Sequence, residues 1–383
     1  MNLLRYELKK LLTLPMLWVL VALCLLLNLC ITLGYRYKVM DYDFFSYVTE
    51  TASQTGTVLG DDFTEKLSAL PERPEKSRLL AETTDLSAIY EDYDATALAD
   101  AYIGLYGVSG IWAELLTAKY EKLQASVGAL AQCGAEFSLY GADVTTELHD
   151  LLFGVVLRAV LTEACLFGVF SMLYLLSYEQ QNRTAWEVCT TKTGRGIFRY
   201  KLSAGLLAAV IGYALIAEVT LLVYFSVFDY SWLWNVSVSS GFNYVSELIG
   251  RKPFLTWVPL TVRSYLLAVL GLGLGLTLVF ALMGAFIGAL SPNSYMGVVL
   301  FFLLALAMMT VPYLFSETGI WGGYFVTELS PMCLWFVSPR WLTDLGSVSV
   351  LPFHETVGIG FNLLLWGLLV WGADRYNRKR DVV

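Results

Sequence analysis

The chain has 383 residues and a net charge of −8, and 57% of its residues are hydrophobic while only 15% are charged. Because soluble globular proteins carry about a quarter charged residues, this composition excludes an ordinary soluble protein, and we expect no nucleic-acid partner. The six cysteines form no CxxC pair and there are only two histidines, His149 and His354, so we expect neither a disulfide scaffold nor a metal site.

The N-terminal residues predict a short amphipathic helix followed by a first membrane span. Leu4, Leu8 and Leu11 fall on one face of a helix and Arg5 and Lys9 on another, as a helix at a membrane interface requires. The apolar run that follows is longer than the ~7–15 residues of a signal-peptide core, and no A-x-A cleavage site follows it. We therefore predict that residues 1–35 hold this helix and an uncleaved span.

A helix needs about 20 mostly apolar residues to cross the hydrocarbon core of a bilayer. Runs of this kind predict six spans, at Leu14–Leu33, Leu151–Ser177, Leu202–Phe228, Ser264–Leu290, Gly297–Leu314 and Thr356–Ala373. The expected fold class is an all-α polytopic membrane protein, and residues 151–383 hold five of its six transmembrane helices.

Lysine and arginine near the span ends predict the orientation, because loops rich in these residues stay in the cytoplasm. With six spans, the N-terminus, the loop between spans two and three and the C-terminal tail lie on one side. The basic residues of these segments are Arg5, Lys9, Lys10, Arg183, Lys192, Arg195, Arg199, Lys201, Arg375, Arg378, Lys379 and Arg380. We expect both termini in the cytoplasm, and the chain suits a bacterial plasma membrane.

Residues 36–150 are the one sizeable aqueous segment, and they contain twenty acidic but only eight basic residues. A stripe of apolar residues from Val108 to Leu130 keeps a helical period over about six turns, and no period-two alternation is long enough for a sheet. We predict a small helical extracytoplasmic domain. Its acidity either attracts a cationic substrate or keeps an exposed domain soluble.

The loop after span five, residues 315–355, mixes apolar motifs such as MCLWF with Glu317, Glu328 and Asp344. This mixture of apolar and charged residues predicts short interfacial or re-entrant helices. Backbone of that kind at membrane depth must be covered by protein. A seventh span in this loop would place the basic tail on the outer side.

The loop between spans two and three, residues 178–201, reads YEQQNRTAWEVCTTKTGRGIFRYK. Glu179, Arg183 and Glu187 recur every four residues and therefore share one face of a helix. The loop predicts a stiff charged element at the membrane surface that could transmit force from a soluble partner. The alternative is an ordinary basic loop that only orients the protein.

The order of these residues resembles the membrane subunits of the type-2 ABC exporter family. In that family an acidic residue ends span two, a GT-E-like core and a Ser/Thr-rich stretch follow, and an arginine precedes a lysine that opens span three. The matching residues here are Glu179, Arg183, Thr184, Trp186, Glu187, Thr190, Thr191, Arg195 and Lys201. The chain departs from the pattern at Arg183, where glycine is usual, and at Lys192, near where many members have proline.

The resemblance extends along nearly the whole chain. The N-terminal helix is similar to the family's elbow helix, GALSPNS after span four also resembles the family, and one subset of members carries a large outer insertion between spans one and two.

The resemblance implies a permease subunit of an ATP-driven exporter that moves an amphiphilic peptide, lipid or drug. A second permease subunit, the same or paralogous, would pair with it within the membrane lipid. A coupling helix at Glu179–Cys189 would dock on a separate cytoplasmic ABC ATPase, with Glu179, Arg183, Thr184, Trp186, Glu187 and Arg195 as its coupling residues. The chain has no G-x-x-x-x-G-K-[ST] loop, so ATP and Mg²⁺ are expected on that ATPase and this chain is expected to be no enzyme.

Three ionisable residues, Arg158, Glu163 and Glu218, fall inside predicted spans, where such groups are expensive and functional by default. Helical rise places Arg158 and Glu218 at similar depth on consecutive spans, about 7–10 Å outside the midplane, and predicts an ion pair between them. The pair is either a structural clasp or a polar patch on a transport path. Gly284 and Gly288 in span four form a small-xxx-small step that permits close packing within or between subunits.

Two other classes of function remain open. A secondary transporter predicts repeats and broken helices in matching positions, and no repeat relates the two halves of this chain. A membrane sensor or immunity protein would bind a ligand with the outer domain and need no ATPase. An intramembrane enzyme is disfavoured, since neither histidine lies within a span and no HExxH or GxSxG motif occurs.

Overall fold

A computed structural model of the chain describes residues 3–38, 41–84, 88–140, 147–191 and 194–379. The described residues contain six helices that are long and apolar enough to cross a membrane, which confirms the expected multi-pass, mostly helical protein. Spans one to six are Pro15–Lys38, Glu147–Gln181, Ile197–Val227, Val262–Leu290, Ser294–Glu317 and His354–Arg378. The end of the bundle that carries the N-terminal helix, the loop after span two and the end of span six is called the terminal face; the opposite end is the distal face.

Most of the helices are longer than the apolar runs that predict them, because helical hydrogen bonding continues through polar residues at their ends. Span two begins at Glu147 and ends at Gln181, several residues beyond the predicted Leu151–Ser177. Its first turns, Asp150–Val156, are π-helical. Such wide turns are rare and occur mostly as local features within α-helices.

Span two is the most buried of the six spans and lies at the centre of the bundle, whereas span five is the least buried. Spans two, three and four meet at Gly168. A Cβ there would lie 3.4 Å from Cβ of Ala281 and 3.5 Å from Cβ of Ala209. Small residues at this point let the three helices approach closely. Such close packing holds helices together in a bilayer, where there is no hydrophobic driving force between them.

The N-terminal helix, Leu3–Leu12, packs against spans two and three at the terminal face. Leu11 is buried in a cluster with Leu17 and Val21 of span one, Phe167 of span two and Ala208 of span three. The helix is therefore held by the bundle along one face.

The distal face carries the large insertion between spans one and two. Its described helices are Tyr42–Thr55, Asp61–Ala69, Pro74–Thr84, Thr96–Tyr106 and Ile111–Gln132. The segment between spans three and four adds a feature that the all-α expectation missed, a β-hairpin of strands Tyr244–Glu247 and Gly250–Pro253. The strands are antiparallel, with Tyr244 opposite Pro253 and Glu247 opposite Gly250. Gly250 has a φ of 120°, which only glycine adopts without strain.

Part of the hydrophobic core of the insertion is shared with later segments of the chain. Leu116 and Tyr120 of the insertion share a buried cluster with Trp257, between spans three and four, and with Phe325 and Val350, between spans five and six. The distal region is thus assembled from three segments of the chain. The expected boundary at residue 150 marks the end of the insertion but not the limit of this folding unit.

The segment between spans five and six contains the short helices Trp321–Thr327 and Pro331–Phe336. The Sγ atom of Cys333 donates to the carbonyl of Met308, nine residues before the end of span five, and Asn362, eight residues into span six, donates to the carbonyl of Leu329. At about 1.5 Å per residue, these contacts lie about 12–13 Å below the distal ends of both spans. The chain therefore re-enters the bundle at Leu329–Phe336, one of the two predicted outcomes.

Candidate functional site

The loop between spans two and three presents one short helix, Ala185–Thr190, at the terminal face. Trp186 is 58% exposed, and Glu187 and Arg183 are also exposed, whereas Thr184 is partly buried. The helix therefore presents an exposed indole beside the carboxylate of Glu187. Arg195 lies in the short 3₁₀ turn Gly194–Gly196, its side chain is outside the described part of the structure, and Lys192 is outside the described residues.

Arg183 turns the chain from span two into this helix. Its φ of 55° is left-handed, a conformation that glycine adopts freely and other residues adopt rarely. The next amide, of Thr184, donates to the carbonyl of Glu179 at 2.9 Å and closes the turn. This geometry explains why glycine suits the position and why the departure to arginine leaves the turn intact.

Glu179 lies in a buried ionic cluster beneath the loop. The Nζ atom of Lys201, at the start of span three, contacts Glu179 Oε2 and donates to the carbonyl of Leu175 at 2.5 Å. The Nζ atom of Lys10 donates to Glu179 Oε1 at 2.9 Å and to Glu7 Oε1 at 2.7 Å. We call Glu7, Lys10, Glu179 and Lys201 the base cluster.

The base cluster changes the role of one predicted coupling residue. Glu179 is only 7% exposed and its two oxygens are occupied by lysines of the same chain, so it faces inward rather than toward a soluble partner. The predicted single helix with Glu179, Arg183 and Glu187 on one face is wrong, because span two ends at Gln181, Arg183 turns the chain, and Glu187 lies on the separate helix Ala185–Thr190. The predicted set is thus divided: Glu179 anchors the loop, and Arg183, Trp186 and Glu187 lie at its surface.

The predicted ion pair between Arg158 and Glu218 is wrong. The guanidinium of Arg158 lies over the ring of Trp335, 4.6 Å from its centroid, and the indole Nε1 of Trp335 donates to Thr162 at 2.9 Å. Glu218 is exposed on the outer surface of span three. Similar depth on neighbouring helices was the basis of the prediction, but the re-entrant segment occupies the side of span two that Arg158 faces.

Glu163 lies on span two in a buried polar cluster with spans one and three. The Nδ2 atom of Asn28 donates to Glu163 Oε2 at 2.8 Å and to the hydroxyl of Thr220 at 3.0 Å. All three residues are at most 7% exposed. In this cluster one predicted intramembrane acid, Glu163, meets buried polar groups of two neighbouring spans.

Gly284 and Gly288 of span four lie against span two. A Cβ at Gly284 would lie 3.0 Å from both Cα and the carbonyl oxygen of Val169, and one at Gly288 would lie 3.1 Å from the side chain of Leu176. The contact is therefore within one subunit, one of the two alternatives that the sequence leaves open.

The distal face holds a second charged cluster, which sequence reasoning missed. The Nζ atom of Lys119 donates to the carbonyls of Asp344, Gly346 and Ser349, at 2.6–2.8 Å. Asp344 accepts from Lys252 of the hairpin at 2.6 Å and from the hydroxyl of Tyr120 at 2.8 Å. These contacts tie the insertion and the hairpin to the segment before span six.

Burial and neighbouring charges together lower the pKa values of both Lys119 and Asp344 in this distal cluster. Burial lowers the pKa of Lys119 to about 7. Burial alone would raise the pKa of Asp344, but the adjacent Lys252 and Lys119 ammonium groups lower it to about 2. Leu342, Leu345 and Phe353 have left-handed φ values of 65°, 54° and 51°, so the cluster holds a strained segment.

A cleft of about 300 Å³ opens beside the distal cluster. Tyr102, Tyr106, Glu247 and Arg340 line it, and Arg340 donates to Glu247 at 2.5 Å. The cleft offers an aromatic wall and an ion pair to a small polar ligand. Within the described residues, no three His, Cys, Asp or Glu side chains are placed to hold a metal ion.

The chain was compared with known proteins at three levels. No family model, no curated protein and no solved structure matches it. Its function must therefore be argued from its own residues.

Sequence reasoning identified the loop and its lysine, Lys201, but not the partners beneath it. Asn28 interrupts an otherwise apolar run, LLLNLC, and this polar residue in a span was the available signal for the intramembrane cluster. Lys119 gave no comparable signal, since a lysine on a helix is usually exposed.

Proposed function

We propose that this chain is the permease subunit of an ATP-driven ABC exporter. A separate cytoplasmic ATPase would carry ATP and Mg²⁺, and a second permease subunit would complete the transporter in the membrane. The terminal face would lie in the cytoplasm of a bacterial plasma membrane, in keeping with its basic residues. The cargo class is an amphiphilic peptide, lipid or drug.

The observation that carries the proposal is the contrast between the exposed loop helix and its rigid base. Trp186 and Glu187 are exposed at the tip, while the base cluster fixes the loop to the ends of spans two and three and to the N-terminal helix. A force applied at the tip would therefore move these three helices together. A buried polar network whose members are hydrogen-bonded to one another makes such a geometry rigid.

Copurification tests the proposal. The tagged full-length chain is extracted from its native membranes in mild detergent, and the associated proteins are identified by mass spectrometry. We expect a stoichiometric ATPase with a phosphate-binding loop, lost when Trp186 and Glu187 are both changed to alanine. Tyr376→Ala is the matched control, because Tyr376 is 56% exposed near the end of span six, and it should retain the ATPase.

Recovery of the folded wild-type chain without any ATPase, in repeated preparations, would overturn the exporter proposal. It would favour a second candidate, a membrane sensor or immunity protein. The cleft lined by Tyr102, Tyr106, Glu247 and Arg340 supports this candidate, since it offers a ligand site in the distal region that needs no ATPase.

A further inference from the structure

The intramembrane cluster of Asn28, Glu163 and Thr220 has an imbalance of hydrogen-bond donors and acceptors. Asn28 Nδ2 donates both of its bonds, to Glu163 Oε2 and to Thr220. Across the described part of the chain, neither Glu163 Oε1 nor Asn28 Oδ1 has a hydrogen-bond partner, although both atoms are buried. Two buried acceptors without donors in one polar cluster of a membrane bundle are costly, because no water replaces the missing donors.

Among the residues that the structure describes, no positive side chain forms an ion pair with Glu163. On span two, Arg158 is five residues away and faces the ring of Trp335. On span three, Glu218 is acidic and exposed outward, and on span one the thiol of Cys24, one turn before Asn28, interacts with Glu163 but carries no positive charge. An ionised carboxylate would therefore lie buried and unpaired, the most unfavourable state for such a group in a membrane.

One proton removes both defects at once. A protonated carboxyl group carries one O–H donor beside a carbonyl acceptor, and a side-chain amide carries an N–H donor beside a carbonyl acceptor. The two groups are therefore complementary and can form a cyclic pair. The existing bond from Asn28 Nδ2 to Glu163 Oε2, at 2.8 Å, is one half of that pair.

We propose that Glu163 and Asn28 form a proton-binding site between spans one, two and three. The proton resides on Glu163 Oε1 and is donated to Asn28 Oδ1, while Asn28 donates to Glu163 Oε2 and to Thr220. The proton thus holds span one to the rest of the bundle. This site does not depend on the exporter proposal, because it rests only on contacts within one chain.

Infrared spectroscopy of the purified full-length protein at neutral pH tests the site directly. A protonated carboxylic acid has a C=O stretching band separate from that of a carboxylate. We expect such a band in the wild-type protein and its loss in Glu163→Gln. Glu218→Gln is the matched control, because it removes a carboxyl group of another span and should leave the Glu163 band in place.

The melting temperatures of variants test whether the site holds a protonated carboxyl group or a carboxylate with a bound metal cation. Glutamine reproduces the donor and acceptor of the protonated acid, so Glu163→Gln should melt near the wild-type temperature, whereas Glu163→Leu should melt lower. The exchange variant, Asn28→Asp with Glu163→Gln, keeps one acid and one amide in the pair and should retain both the acid band and the stability.

Three results would overturn the proposal. The first is no acid band that depends on Glu163. The second is a Glu163→Gln protein that melts as low as Glu163→Leu, since the amide then fails to replace the acid. The third is a rise in the melting temperature of the wild type with NaCl or KCl that Glu163→Gln lacks, which would assign the oxygens to a monovalent cation.

Discussion

Lys201 and Glu179 form a buried ion pair across the two ends of the loop that joins spans two and three. The side chains are only 4% and 10% exposed, and Lys10 of the N-terminal helix shares the carboxylate. The loop is therefore closed at its base by charge, and its tip is fixed relative to three helices. The family pattern that the chain resembles has an acidic residue and a lysine at these positions. The pattern by itself does not explain why both residues are charged.

Removing the lysine tests whether this closure stabilises the fold. Breaking one partner of a buried pair typically lowers the free energy of unfolding by about 3–5 kcal/mol, and Lys10 still contacts Glu179 in Lys201→Met, so we expect about 3 kcal/mol. Thermal unfolding in detergent measures it. Arg199→Met is the control: its side chain is 66% exposed, and its pair with Asp374 should contribute at most about 1 kcal/mol. Equal losses in the two variants would refute a special role for Lys201.

The spans were predictable because the requirement for about 20 apolar residues is local and independent of tertiary packing. Their exact ends were not, since Glu147 and Gln181 are polar yet helical. The stripe from Val108 to Leu130 predicted a helix, and the structure has one at Ile111–Gln132. Amphipathic periodicity again reports a local property.

The pairings were much less predictable, because they join residues far apart in the sequence. Asn28 meets Thr220 across 192 residues, and Lys119 meets Ser349 across 230. The Arg158–Glu218 prediction failed for the same reason: it used only the positions of the two residues along their helices, and the rotation of each helix about its axis was unknown. The exposed tip of the loop between spans two and three was identified from local sequence, and the contacts at its base could be understood only from the fold.

The close contact between spans two and four predicts that Gly284 tolerates no side chain. In Gly284→Ala the new Cβ would lie 3.0 Å from backbone atoms of Val169, which cannot rotate away. Overpacking of this kind lowers the free energy of unfolding by about 1–3 kcal/mol. Gly271→Ala in the same helix is the control, since nothing lies within 4 Å of its Cβ, and it should be neutral or slightly stabilising. A stable Gly284→Ala protein would mean that spans two and four separate more easily than the structure indicates.

The distal lysine predicts a pH dependence of stability. The pKa of Lys119 is lowered from 10.5 to about 7 by burial. Between these two values the unfolded chain keeps the proton, whereas the folded chain gives it up together with one of the three hydrogen bonds that the ammonium group donates. The free energy of unfolding therefore rises with pH from about 7 to 10.5, by up to about 1.4 kcal/mol per pH unit.

Comparison with Lys119→Met isolates this effect. From pH 7 to pH 9 the stability of the wild type should increase relative to that of Lys119→Met, as measured by thermal unfolding in the same detergent. Lys122→Met is the control, because Lys122 is on the same helix but exposed, and its stability difference from the wild type should not change with pH. A constant difference for Lys119→Met as well would show that Lys119 keeps its proton throughout this range.

The contact between Arg158 and the re-entrant segment gives a prediction that discriminates it from the rejected ion pair. Trp335→Leu removes both the ring beneath Arg158 and the indole donor to Thr162. It should lower the free energy of unfolding by about 1–3 kcal/mol, because a cation–π contact and a partly buried hydrogen bond are lost together. Trp335→Phe keeps a ring beneath Arg158 and should lower the free energy of unfolding by less.

Glu218→Gln should have little effect on the free energy of unfolding, since Glu218 is exposed. Exchanging the charges, Arg158→Glu with Glu218→Arg, should be no more stable than Arg158→Glu alone, and a full rescue by this exchange would restore the ion pair to consideration.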